Sequence, residues 1–296
     1  MGELDLIMAE LEPLLGQPSG EPTPLDGGIT NHNFRVAYGE DEYVIRRHGR
    51  DTELLGIDRD AERAASEAAA QLGIAPALVA AVPGGLVTRF VPCAPSTSEQ
   101  VRERAGELGR ALRRFHDLGI ELAAAFWVPD LLDSYARQVM LRGGALPDSY
   151  SRAQSIVARI AAVLPLGVPR PCHNDLLPGN ILLAADDGRV LIVDWEYAGM
   201  GHPYFDLGNL SVNNDFDDGC EENLLRAYND RPPSDGERAH LKLMRVVSDA
   251  REGAWGVAQS VISDVEFDFD GYAHEHLERL ERAVLAPDFE EWLAAA

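Results

Sequence analysis

The chain has little cysteine, little positive charge and no long apolar run. Its three cysteines, Cys93, Cys172 and Cys220, lie far apart without a C-x-x-C pair, so neither a disulfide framework nor a zinc site is indicated. Lys and Arg total 26 against 49 Asp and Glu, a formal net charge of -23. That balance argues against nucleic acid and anionic membrane as partners, because both need clustered cations to neutralise phosphates. No apolar stretch approaches the roughly 18 residues of a membrane span, and the opening MGELDLIMAELEPLLG lacks the cationic start of an export signal. These absences predict a cytoplasmic protein without membrane insertion.

What is present is 296 residues with 46% hydrophobic content, enough for two lobes or one large domain with a substantial core. The acid surplus speaks first to solubility, and it would also draw in a small cationic ligand. The stretch NFRVAYGEDEYVIRR alternates about a Gly39-Glu40-Asp41 turn and predicts a hairpin. A helix is expected over DRDAERAASEAAAQL, capped by Asp58, with Ala61, Ala65, Ala68 and Leu72 on one face and Gly73 as its stop. APALVAAV and GLVTRFV read as two more strands. From residue 95 onward the pattern is helical, with Val101, Ala105, Leu108, Leu112 and Phe115 forming one buried stripe. Further helices are expected over 131–142, 150–163, 234–263 and 271–285. Among them NILLAADDGRVLIVDW reads as an isolated hairpin turning at Asp187-Gly188. The fold class is therefore α+β, with a small antiparallel lobe over 1–91 and a large helical lobe over 92–296.

The segment PCHNDLLPGNILLAADDGRVLIVDWEYAG, residues 171–199, sets His173, Asp175, Asn180 and Asp194 on two loops joined by that hairpin. Antiparallel strands return Asn180 and Asp194 to the same end. Phosphoryl transfer needs a carboxylate beside the attacking hydroxyl, here Asp175, and oxygen ligands for Mg²⁺ on the nucleotide phosphates, here Asn180 and Asp194. The bland alternative is an Asx-rich turn with a structural Asp. His173 reads as a brace for the loop backbone.

These residues resemble the choline/ethanolamine kinase family, within the aminoglycoside phosphotransferase-like branch of the protein-kinase-like fold. The resemblance runs from LDGGITNHNFRV to DFDGYAHEHLERL. It implies ATP as phosphoryl donor, Mg²⁺, and a small cationic alcohol as acceptor. GGITNHNFRV resembles the phosphate loop, which implies nucleotide contacts for Gly28, Thr30, Asn31 and Asn33, with Gly27 freeing the backbone beside them. YVIRRHG resembles the strand whose basic residue meets the α- and β-phosphates, which implies that role for Arg46. Glu62 matches the helix acid that orients this base, with Glu67 the alternative. TRFVPC resembles the hinge, placing the backbone of Phe90 and Val91 near the adenine.

Three departures separate the chain from protein-substrate kinases: no G-x-G-x-x-G, a DWE triplet at Asp194, and no A-P-E segment. Asp206 is expected to tie down the loop that follows. On the acceptor side the resemblance implies Tyr197, Trp255, Phe267 and Tyr272 as contacts to a quaternary ammonium, which aromatic faces hold by cation–π attraction. Without the resemblance, a Trp in an apolar helix reads as core. Ala258 stands where some family members carry a second Trp. His116, His240, His274 and His276 read as surface or satisfied histidines, and NNDFDDGCEEN as a solvated loop. Aminoglycoside, thiamine and sugar acceptors remain rival substrates, and a nucleotide-binding pseudokinase remains the rival outside enzymes.

Overall fold

The computed structural model describes residues 2–25, 32–50 and 52–296. Gly28, Thr30 and Asn31 of the expected phosphate loop, with Gly27, lie outside the described residues. Helix α1 (Glu3–Leu15) leads into a five-stranded antiparallel sheet of order β1-β2-β3-β5-β4, built from β1 (Thr23–Leu25), β2 (His32–Tyr38), β3 (Asp41–Arg47), β4 (Leu78–Val82) and β5 (Gly85–Arg89). The β2–β3 turn is made by Gly39, whose φ of 64° suits a residue without Cβ. Ile7 and Leu11 of α1 pack with Val36, Ile45 and Val87 of the sheet, all almost wholly buried. Between β3 and β4 runs α2 (Arg59–Gln71), capped as expected by Asp58, which accepts from the Ala61 amide at 2.8 Å.

After β5 the chain forms β6 (Cys93–Pro95), then helices α3 (Ser98–Glu103), α4 (Ala105–His116), α5 (Val128–Leu141) and α6 (Asp148–Val163). The expected single helix over this first stretch is broken at Arg104, whose φ of -96° and ψ of 9° end one helix and start the next. All five stripe residues, Val101 to Phe115, are nevertheless buried.

The hairpin of β8 (Ile181–Ala184) and β9 (Val190–Ile192) is not isolated: β6 pairs with β8 to make a three-stranded sheet. A second small sheet joins β7 (Arg170–Cys172) to β10 (Gly199–Gly201), so the segments before and after the hairpin are also paired. Helices α7 (Pro203–Asn213), α8 (Asp218–Asn229), α9 (Asp235–Ile262), α10 (Phe269–Leu285) and α11 (Asp288–Ala295) complete the larger lobe. The acid run over 213–223 is not a solvated loop. Its second half opens α8, Asp217 caps it by accepting from Cys220 N at 2.8 Å, and Glu221 is buried against Arg245 and Lys242. Acids at a helix N-terminus are favoured by the macrodipole, which a loop reading overlooks.

Helix α9 is the spine of this lobe, with α5, α6, α7, α10 and α11 all packed on it. Gly208 permits α7 to cross α9 closely: a Cβ there would lie 2.5 Å from the Met244 carbonyl carbon. No described helix is long and apolar enough to cross a membrane.

Candidate active site

The loop carrying Asp175 is fixed by one buried carboxylate. Asp206, at the start of α7, accepts from the backbone amides of His173 at 2.8 Å and Asn174 at 2.7 Å, and from His116 Nε2 at 2.9 Å. Burial alone would raise its pKa, but the hydrogen bonds from His116 and the charges beside it outweigh burial and hold Asp206 below the usual carboxylate range. His116 is thus neither at the surface nor alone. Its ligand atom lies within 4.8 Å of those of Cys172 and Asp206, but its two nitrogens already meet Tyr228 and Asp206.

His173 braces backbone as the sequence suggests. Its Nε2 donates to Val193 O at 3.0 Å, and its Nδ1 accepts from Asp175 N at 3.2 Å. Burial pushes its pKa down to about 4, so the ring is neutral and can serve as donor and acceptor at once. It ties the loop carrying Asp175 to the strand end carrying Asp194.

The hairpin register pairs Ile181 with Ile192, and Val193 N donates to Asn180 O at 2.9 Å. Asn180 and the loop holding Asp194 are therefore neighbours despite their sequence separation. Asn180 Nδ2 donates to Asp175 at its backbone O, 2.8 Å, and at Oδ2, 3.1 Å. That orientation turns the carboxamide oxygen away from Asp175. Asp194 takes a left-handed backbone conformation, φ 67° and ψ 59°, at the turn into the Trp195–Tyr197 segment. Trp195 closes the floor, with its ring centroid 4.5 Å from those of Phe115 and His173.

Arg46 reaches this corner from β3. It pairs with Asp194, with Glu62 at 3.3 Å and with Glu196 at 3.2 Å, and is nearly buried. Glu62, rather than the exposed Glu67, is the helix acid facing it. Arg59 joins from the start of α2, 2.7 Å from Glu62 and 3.4 Å from Glu196. Among the described residues three carboxylates thus meet two guanidinium groups in a partly buried corner, a surplus of one negative charge. Asn33 lies opposite Arg46 in the β2–β3 ladder, so the described end of the expected phosphate loop is at the same edge of the sheet.

A hard divalent cation prefers oxygen ligands and net negative charge. One carboxamide and one carboxylate at the hairpin end, beside a surplus of one negative charge, fit Mg²⁺. At the expected hinge, Phe90 N already donates to Glu42 O at 2.9 Å, while Arg35 stacks on the Phe90 ring at 4.1 Å. Phe90 can therefore offer a nucleotide its carbonyl, not its amide. Val91, the other expected hinge residue, is half-buried.

The aromatic group is linked to Asp175 through Arg251, which bonds Asp175 and lies over Tyr197. Tyr197 and Trp255 are buried and joined by a hydrogen bond from Trp255 Nε1 to Tyr197 OH, 2.8 Å. Trp255 meets Tyr272 edge-on at 5.5 Å, and Tyr272 meets Phe267, 40% exposed, at 6.1 Å. The structure therefore brings all four expected aromatics into one chain of contacts. One face of Tyr197 is taken by the protein itself, since Arg251 lies 4.3 Å from its ring centroid.

Sequence reasoning missed Arg251 and Glu252. Both are 1% exposed in the middle of α9, and Arg251 Nη1 donates to Asp175 Oδ1 at 3.0 Å and to Glu252 Oε1 at 2.9 Å. Glu252 also accepts from Tyr272 OH at 2.8 Å and from Asn209 at 3.3 Å. Burial raises the pKa of Asp175, partly offset by Arg251, whereas Arg251 and Tyr272 overcome burial at Glu252 and hold it low. The available signal was an Arg-Glu pair inside an otherwise apolar helix stripe.

The sequence matches the model of the phosphotransferase enzyme family over residues 21–241. It is 23% identical over 298 residues to the probable choline kinase 3 of Arabidopsis thaliana, covering 88% of this chain and 85% of that protein. It is 25% identical over 286 residues to the probable ethanolamine kinase of the same plant, covering 84% and 75%. A solved choline/ethanolamine kinase family protein from Mesorhizobium loti has the same protein-kinase-like fold, with a TM-score of 0.82 at 29% identity over 99% of this chain and 98% of that one.

Proposed function

The chain belongs to the phosphotransferase enzyme family, and on that premise we propose that it is an ATP- and Mg²⁺-dependent kinase for the hydroxyl of choline or ethanolamine. The observation that carries this reading is the position of Asp175. Its carboxylate is held between Asn180, next to the strand end of Asp194, and Arg251, which lies over Tyr197. A nucleotide bound between the lobe of residues 1–91 and the lobe of residues 92–296 would present its phosphates to Arg46. Asn180 and Asp194 would hold Mg²⁺, which supplies charge neutralisation on the phosphates when bound.

Asp175 accepts a hydrogen bond from the acceptor hydroxyl and aligns its oxygen for attack on the γ-phosphorus. The hydroxyl proton passes to the carboxylate as the oxygen–phosphorus bond forms and the bond to ADP breaks. Glu62 keeps Arg46 aimed at the phosphates. On the acceptor side two carboxyl groups, Asp175 and Glu252, share the Arg251 guanidinium, and a cationic alcohol bound beside them would favour the ionised form of Asp175. Trp255, Tyr272 and Phe267 supply the apolar and π surface for its ammonium group.

Ethanolamine is favoured over choline by one feature. Arg251 covers a face of Tyr197 and Ala258 offers no ring, so fewer aromatic faces are left for a quaternary ammonium, while a primary one can donate hydrogen bonds instead. The test is ADP release with Mg²⁺-ATP against choline, ethanolamine, thiamine and an aminoglycoside, each beside Asp175→Asn. Turnover of choline or ethanolamine that drops about 10²- to 10⁴-fold in the variant is expected. Turnover of thiamine or the aminoglycoside alone would transfer the reading to that acceptor, and near wild-type activity of the variant would remove Asp175 from the chemistry.

A further inference from the structure

Asp175 is held on both oxygens, and one holder lies outside the catalytic loop. Oδ2 accepts from Asn180 at 3.1 Å, five residues on. Oδ1 accepts at 3.0 Å from Arg251, 76 residues away on α9. At 1% exposure Arg251 offers almost no surface to an acceptor. Its Nε and Nη2 are buried without a hydrogen-bond partner among the described residues. A guanidinium buried with idle donors is a poor source of stability, because desolvating a charge costs more than incomplete pairing returns. Its one well-used nitrogen, Nη1, divides between Asp175 and Glu252.

The surroundings hold Arg251 still. Its guanidinium stacks on Tyr197 at 4.3 Å. Glu252 is fixed in turn by Tyr272 and by Asn209, whose side-chain oxygen accepts from the amide of Leu176, the residue after Asp175. Catalytic loop, α7 and α9 thus close a ring of hydrogen bonds around one carboxylate.

We propose that Arg251 is a positioning residue for phosphoryl transfer, fixing the Asp175 carboxylate in the one rotamer that meets the acceptor hydroxyl. With Asn180 as sole partner the carboxylate could swivel about its side-chain bonds; with a second partner on Oδ1, a single direction stays open to the acceptor. What Arg251 adds to the carboxylate is direction, through the contact on Oδ1. That suits a loose transition state in which the carboxylate chiefly orients the attacking oxygen.

The proposal rests on the kinase reading of this site. It is tested in the full chain by Arg251→Lys, which keeps the charge and loses the flat fork, in the wild-type and Asp175→Asn backgrounds. Turnover is read with the best acceptor and, independently, as ATP hydrolysis to water. Expected is a kcat lower by about 100-fold in the wild-type background, with KM for ATP and acceptor within about 3-fold. In the Asp175→Asn background the same change should alter kcat by less than about 3-fold, because the group being positioned is gone. Added guanidinium ion should restore part of the turnover of Arg251→Ala. Equal losses in both backgrounds, a rise in acceptor KM alone, or no rescue of a folded Arg251→Ala would overturn the proposal. A wild-type protein that transfers phosphate to no tested acceptor would fail the kinase reading instead, and the hydrolysis ratios would still decide the part played by Arg251.

Discussion

The two sides of Asp175 are built from different materials. The nucleotide side is a cluster of charges on short segments: Arg46 on β3, Glu62 and Arg59 at the first turn of α2, Asp194 and Glu196 after β9. The proposed acceptor side draws two of its four aromatic rings and one buried ion pair from two long helices, with Trp255, Arg251 and Glu252 on α9 and Tyr272 on α10. On the first side each residue has a fixed distance in sequence from a turn or strand end. On the second, the same residue types would fill an ordinary helix core. Chemistry tied to loops leaves motifs, and chemistry tied to helix faces leaves periodicity that looks like packing.

The sharpest way to break this contrast is to remove charge from the first side. Asp194→Asn keeps the shape of the side chain, removes the one carboxylate charge from the expected Mg²⁺ ligands and leaves Arg46 with Glu62 and Glu196. A loss of about 10³-fold or more in kcat is expected, with activity responding to higher Mg²⁺ and with acceptor KM little changed. An acceptor KM that rises as steeply as kcat falls would show that the two sides are not separate.

The framework that separates them is next in size. Gly208 lies between Asp206, which holds the catalytic loop, and Asn209, which reaches Glu252, and its missing side chain lets α7 approach α9. Gly208→Ala forces those helices apart and should cost about 1–3 kcal/mol in urea unfolding. The loss of kcat should exceed the loss of binding on either side, because both sides take their spacing from this crossing. A variant as stable as wild type would mean that the helices part without effort.

How much of this could be read beforehand follows the same division. Asp58 as cap, the Asp187-Gly188 turn and the Asp175, Asn180 and Asp194 spacing were legible because each is a local rule of backbone or ligand geometry. The pairing of β6 with the hairpin was not, since three residues of strand carry no periodicity. Nor was Arg251, because an Arg inside a helix gains its meaning only from a loop 76 residues away. The aromatic side can be sharpened by Trp255→Leu, which keeps bulk and removes the π face. Acceptor KM should rise about 2- to 30-fold, the worth of one cation–π contact, while KM for ATP stays put. Equal rises for both substrates would mean that Trp255 supports the fold, not the ammonium.

The smallest effect concerns pH and lies in the framework both sides share. His202 caps α7: its Nδ1 accepts from Tyr204 N at 3.2 Å, which requires a neutral ring. Burial, with the charges of His240 and His116 adding to it, lowers its pKa to about 4. A histidine whose folded pKa lies below the unfolded value near 6.5 binds its proton more readily when unfolded. Stability is therefore unaffected well above pH 6.5 and falls as pH drops from there toward 4, since the unfolded state takes up the proton first. Between pH 7 and 5.5 this one group should remove about 1 kcal/mol. His202→Asn keeps an acceptor at the cap without a titrating ring, so its stability, followed by urea unfolding at the two pH values, should fall by about 1 kcal/mol less than that of the wild type. Parallel losses in both proteins would assign the acid sensitivity to other buried groups, His173 and His48 foremost, whose pKa values burial also lowers to about 4, and would move the pH dependence from the shared helix to the nucleotide side.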